Sequence, residues 1–133
     1  MKFVLAIDFD GTLFHGTWNV DGEPNVPVIS QTKRFCDHPG CEVILWTCRE
    51  ERLLVDAISR CEGVGLQFDA INMNASETLL WNSLMFGRQG NTSGRKVFAD
   101  LYVDDKSPGS IDHYLSLDPE SEWDKVKDRN VQQ

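Results

Sequence analysis

The chain has 133 residues, 41% of them hydrophobic, and a formal net charge of −8 at pH 7, which suits one domain with a single core. That charge disfavours nucleic acid and anionic membrane surfaces as partners, since both need a basic patch to meet them. No apolar run is long enough to cross a bilayer, the first residues lack a signal-peptide pattern, and four cysteines in a chain this apolar suit the cytoplasm better than a disulfide framework.

Met1 to Ile7 is almost continuously apolar, the pattern of a strand buried on both faces of a parallel sheet. Phe14 to Pro27 holds Gly, Asn, Asp and two prolines and reads as a loop. Val28 to Asp37 reads as an amphipathic helix ended by HPG, and Cys41 to Thr47, CEVILWT, as a second buried strand. REERLLVDAISRCEG then sets Leu53, Leu54, Ala57, Ile58 and Cys61 on one helical face, with Gly63 as the stop. A weaker third strand is expected around Gln67 to Ile71, followed by a helix from Ser76 to Phe86 and the loop GRQGNTSGR. ADLYVDD, Ala99 to Asp105, is the fourth strand and KSPGSID a turn. Pro119 to Asp128 is a charged, solvent-facing helix in an acidic tail spanning about residues 118–133. Alternating strands and helices predict one α/β domain over residues 1–133, with a parallel sheet and right-handed crossovers. CDHPGC places His38 between Cys36 and Cys41, but no second ligand pair lies at a spacing that zinc would use. It reads as a helix end, a turn and two ordinary thiols.

Open α/β sheets bind ligands at the carboxyl ends of their strands. Strand one ends on Asp8 and Asp10, strand two on Thr47, and strand four on Asp104 and Asp105, with Lys96 shortly before it. Charges beside apolar segments are costly unless compensated, so four carboxylates on one edge predict a shared cation. Magnesium fits, because it takes oxygen ligands and is held by one or two carboxylates plus substrate phosphate. The strand ends carry no His and, apart from Cys48, no Cys, which argues against zinc or copper. Asp8 and Asp10 would alternate in a strand, but Gly11 lets the chain turn so that both reach one pocket. Backbone amides at Phe9 and Gly11 can then face a phosphate.

In this order the residues resemble the haloacid dehalogenase (HAD) superfamily of phosphotransferases. DFDGTL follows an apolar strand, a Thr closes the second strand, a Lys comes next, and DD closes a later strand. The match covers the core to about residue 117. It implies a Rossmann-like three-layer sandwich with a mainly parallel central sheet and no full cap domain. It also implies Asp8 as the nucleophile that becomes an aspartyl-phosphate, and Asp10 as general acid, then base. Thr47 would hydrogen-bond the phosphoryl group and Lys96 would neutralise its charge, with Lys106 as the alternative lysine. Asp104 would bind Mg²⁺ directly, Asp105 would share that role or act through water, and Asp8 and the Asp10 carbonyl would complete the set. The implied activity is Mg²⁺-dependent hydrolysis of a small phosphomonoester, such as a metabolite or nucleotide. The alternatives are a phosphatase of polynucleotide or phosphoprotein ends, and a non-catalytic regulator that binds Mg²⁺ and a phosphorylated ligand. Trp18, Trp81, Phe86 and Arg88 either pack on the core or form a small lid over the leaving group. Arg49 either pairs with Glu50 at the helix start or reaches substrate.

Overall fold

The computed structural model describes residues 1–75 and 97–129. β1 (Phe3–Ile7) is buried at all five positions, as a continuous apolar run requires when a strand has neighbours on both sides and layers over both faces. It pairs in parallel with β4 (Cys41–Leu45), from Phe3 opposite Cys41 to Ile7 opposite Leu45. On its other side lies β6 (Leu101–Val103), again parallel, with Ile7 opposite Val103. β5 (Ala70–Ile71) extends the sheet beyond β4, giving the order β5-β4-β1-β6. The protein is therefore α/β, with a parallel central sheet flanked by helices in a Rossmann-like sandwich.

Strand alternation sorts the core into two layers. Phe3, Leu5, Ile7, Val43 and Leu45 face the larger one. It is completed by Val28, Ile29 and Phe35 of α1 (Val26–Asp37), Ala57 and Cys61 of α2 (Glu51–Gly63), Tyr114 of α3 (Ser110–Leu115) and Val126 of α4 (Pro119–Val126). Val4, Ala6 and Ile44 face the other way, against Ala70, Val97, Trp46 and Tyr102. At the amino end of the sheet two aspartates close the backbone. Asp69 Oδ2 accepts the Val43 N–H at 2.7 Å, and Asp100 Oδ2 accepts the Val4 N–H at 2.8 Å while pairing with Arg129.

Several elements depart from the sequence reading. The segment expected as a loop folds into an antiparallel hairpin, β2 (Phe14–Thr17) and β3 (Val20–Pro24). Its strands are largely exposed, so they carry no buried alternation to read. KSPGSID is not only a turn, because α3 begins at Ser110. That short helix is held by Tyr114, fully buried, whose hydroxyl lies 2.8 Å from Thr32 Oγ1. α4 is only partly solvent-facing: Pro119 and Val126 are buried and Trp123 packs against the core. Leu53, expected on the core face of α2, is 42% exposed and lines a cleft with Trp18 and Arg49 instead. His38 is engaged inside the fold, with Nδ1 accepting the Gly40 N–H at 2.9 Å and Nε2 2.5 Å from Glu120. The helix expected from Ser76 to Phe86 and the following loop lie outside the described residues. Among the described residues no helix is long and apolar enough to cross a membrane.

Candidate active site

Because β1 and β6 are adjacent and parallel, their carboxyl ends bring Asp8 beside Asp104 and Asp105. The Asp8 N–H donates to the Val103 carbonyl at 3.0 Å, and one carboxylate oxygen from each of the three aspartates lies within 4.8 Å of the others. Thr12 ties the group together. Its hydroxyl donates to Asp8 Oδ2 at 3.2 Å and accepts the Asp105 N–H at 3.0 Å. Gly11 makes the approach possible: its φ is +80°, and a Cβ there would stand 2.3 Å from Asp105 Oδ2.

Burial first, and then the neighbouring Asp104 and Asp105 charges, push the Asp8 carboxyl up to about 7, against a smaller opposite pull from Thr12. Burial and the contact with Asp104 also raise Asp105, opposed by Lys106, whose Nζ lies 3.5 Å from Asp105 Oδ2. Lys106 itself is 85% exposed, so it screens the group weakly. Asp105 Oδ1 is buried and has no hydrogen-bond partner among the described residues. Three converging carboxylates with one buried oxygen unpartnered form a hard-oxygen donor set that fits magnesium.

The Asp10 carboxylate is not one of these three, although its charge adds to the rise of Asp8. Arg49 captures it. Arg49 Nε donates to Asp10 Oδ2 at 2.8 Å and Nη2 to Oδ1 at 2.7 Å, a bidentate pair. The guanidinium is only 2% exposed and stacks over the Phe9 ring at 4.7 Å. It also reaches the carbonyls of Thr17 and Leu53, both at 3.3 Å, and lies 3.6 Å from Asp56. The ion pair that holds Arg49 is thus with Asp10, thirty-nine residues upstream, where the sequence pointed to Glu50.

Thr47 is buried just past β4. Its N–H donates to Asn72 Oδ1 at 2.7 Å, and its Oγ1 accepts the Arg49 N–H at 3.2 Å. Among the described residues the hydroxyl proton has no acceptor, so it can be donated to a ligand. Asn72 and Glu51 flank this turn with φ values of 55° and 50°, backbone angles that non-glycine residues adopt at a cost. The Gly11 amide, expected to face phosphate, instead donates to the Phe14 carbonyl at 2.8 Å and closes the turn into the hairpin. The Phe9 amide has no hydrogen-bond partner among the described residues. Trp18 stands 63% exposed next to the hairpin turn, above a cavity of about 320 Å³ that also touches Asp10 and Arg49. Lys96, Trp81, Phe86 and Arg88 lie outside the described residues.

Two participants escaped the sequence reading. Thr12 follows DFDG directly, and its threonine side chain four residues after Asp8 was the available signal. Asn72 offered none, because its role depends on β5 lying beside β4.

Fold and site together define an α/β protein with an acidic centre at the carboxyl edge of a parallel sheet. No protein-family model and no curated protein matches the chain. A solved structure described as a conserved protein coded by a locus from Bacteroides thetaiotaomicron is similar to it, at 29% identity and a TM-score of 0.63. The similarity covers 97% of this chain and 93% of that one.

Proposed function

We propose that this protein is a magnesium-dependent phosphomonoesterase of the HAD type, acting on a small substrate through an aspartyl-phosphate at Asp8. The observation that carries the reading is the meeting of Asp8, Asp104 and Asp105 within 4.8 Å, with a buried Asp105 oxygen left unpartnered. These three, with the Asp10 carbonyl, are the groups that would hold Mg²⁺. When bound, the ion supplies positive charge that keeps Asp8 ionised and offsets the charge of the phosphoryl group.

An Asp8 oxygen bonds to phosphorus as the ester oxygen departs, and the departing oxygen takes a proton from Asp10. Asp10 then takes a proton from the water that attacks phosphorus, which releases phosphate and restores Asp8. Asp10 must leave part of its grip on Arg49 to reach that oxygen, an adjustment common when catalytic groups meet substrate. The Thr47 hydroxyl donates to the phosphoryl group, and Lys96 is the lysine the resemblance assigns to its charge. The net charge of −8 disfavours a polynucleotide substrate.

A second reading draws on the Asp10–Arg49 pair, which would leave Asp10 unavailable in a protein that binds Mg²⁺ and a phosphorylated ligand without turnover. Phosphate release from a broad panel of phosphoesters, with and without Mg²⁺, separates the two. Mg²⁺-dependent turnover is expected. Binding of Mg²⁺ and phosphoester with no release from any member of the panel would favour the regulator.

A further inference from the structure

We propose that Asn72 is a positioning residue of the phosphomonoesterase described above, a role that rests on that reading for the place of the phosphoryl group. Its side-chain amide fixes the turn that carries Thr47, and it does so without adding charge beside the incoming phosphate.

The segment that forms β5 holds β4 through two side chains. Toward the amino end Asp69 Oδ2 accepts the Val43 N–H, and past the carboxyl end Asn72 Oδ1 accepts the Thr47 N–H, both at 2.7 Å. The backbone amides of the same two residues donate to the Val43 and Leu45 carbonyls at 2.9 and 2.8 Å. For the backbone the two contacts are equivalent, each closing one strand N–H. They differ in residue type: an acid away from the site, an amide beside it. Ile7 stands opposite Leu45, so Thr47 emerges one strand away from Asp8 on the same edge of the sheet.

For the fold alone an aspartate at 72 would serve better. It offers the same acceptor with no donor to satisfy, and the left-handed backbone at this position, φ 55°, is open to Asp and Asn alike. Asn72 is 1% exposed, and its Nδ2 is buried with no hydrogen-bond partner among the described residues. An idle buried donor costs stability. What the amide spares is charge. A carboxylate at 72 would stand one hydrogen bond from the Thr47 backbone, on the edge where Asp8, Asp104 and Asp105 already gather, and would repel a phosphoryl group there. Thr47 itself is fixed twice, by its N–H to Asn72 and by its Oγ1, which accepts the Arg49 N–H at 3.2 Å. The hydroxyl proton is the group left over for a phosphoryl oxygen, and Asn72 sets where it stands.

Two measurements test the role: steady-state kinetics on an aryl phosphate, and calorimetry with inorganic phosphate, both with Mg²⁺ present. Asn72→Asp keeps the acceptor and the shape, so it should fold as the wild type does. It should nevertheless weaken phosphate binding and raise KM by about tenfold, the scale of one added charge in a partly screened site. Asn72→Ala removes the acceptor and should lower kcat/KM by about 10–100-fold through displacement of the hydroxyl. In a Thr47→Val background Asn72→Ala should cost no further activity, because the group it positions is gone. Asp69→Ala removes the matching bond at the other end of β4. It should lower the urea midpoint and leave kcat and KM unchanged. Wild-type KM and phosphate affinity in Asn72→Asp would overturn the role, as would additive losses with Thr47→Val or equal kinetic losses in Asp69→Ala. If Asn72→Ala does not fold, Asn72→Asp decides. No hydrolysis of any ester by the wild-type chain would remove the phosphatase reading, and phosphate calorimetry would then decide Asn72 alone. No phosphate binding to the wild-type chain would overturn both.

Discussion

Both ends of the central sheet are lined with aspartates, and the two ends treat them differently. At the amino end Asp69 and Asp100 each accept a strand N–H, and Asp100 is further paired with Arg129. At the carboxyl end Asp8, Asp104 and Asp105 crowd together, and among the described residues the groups set against their charge are the Thr12 hydroxyl, the Lys106 N–H and the exposed Lys106 ammonium. The first set completes hydrogen bonds that the fold would otherwise leave open. The second makes the fold worse by itself, raising Asp8 and Asp105 instead of stabilising them. An acid that a protein keeps at its own expense is a candidate for ligand chemistry.

Exchanging acids at each end should therefore give opposite results. Asp8→Asn is expected to reduce Mg²⁺-dependent phosphate release to the uncatalysed background, measured with an aryl phosphate. Activity near the wild-type level would remove the covalent route. Asp10→Asn should cost roughly 10²–10⁴ in rate, and less for an activated aryl leaving group that needs no proton. Uniform loss across leaving groups would take Asp10 out of the proton-transfer role. Asp104→Ala should raise the Mg²⁺ concentration for half-maximal activity more than Asp105→Ala does, and the reverse order would exchange their roles.

Stability sharpens the contrast in smaller steps. Asp100→Ala removes the acceptor of the Val4 N–H and the partner of Arg129, and should cost about 1–3 kcal/mol in urea denaturation. Asp8→Asn should instead stabilise the metal-free protein near neutral pH, by on the order of 1 kcal/mol once solvent screening is allowed for. The sign follows from the raised carboxyl. Asp8 loses its proton near its ordinary value of 3.8 when unfolded and near 7 when folded. The stability of the metal-free wild type should thus fall as pH rises through that interval and level off above it. Mg²⁺ should restore stability on the alkaline side, and a flat profile for the metal-free protein would mean that Asp8 is not held as described.

Much of this was legible in the chain. A five-residue apolar strand running straight into two carboxylates places β1 and its acidic end without any neighbour, and the apolar cores of β4 and β6 follow the same pattern. The hairpin was not legible, because its strands lean on backbone contacts. Gly22 packs so closely that a Cβ would meet the His15 carbonyl oxygen at 1.5 Å, and turn-forming residues hid strands that have almost no buried side. Nor was α3, six residues long and starting right after Pro-Gly, where its single buried tyrosine leaves no periodicity to detect. At the site, residue types at strand ends foretold the meeting of Asp8 with Asp104 and Asp105. The capture of Asp10 by Arg49 depends on how β1 and the start of α2 approach in space, which local spacing does not encode.

Gln31 carries a consequence for how the molecule opens. Buried in α1, it donates to the carbonyls of Tyr114 and Leu117 at 2.9 and 2.7 Å and accepts from Arg34 at 2.7 Å. Arg34 in turn pairs with Asp118 at 2.9 Å. Peeling α3 and α4 away would strip the Gln31 amide of both carbonyl acceptors and Thr32 Oγ1 of the Tyr114 hydroxyl. The segment from α3 through α4 is thereby bound into the same cooperative unit as the sheet. A helix of six residues ordinarily frays, and its amides then exchange with solvent quickly. Those of α3 should exchange about as slowly as the amides of β1, and Gln31→Ala should let them exchange ahead of the sheet.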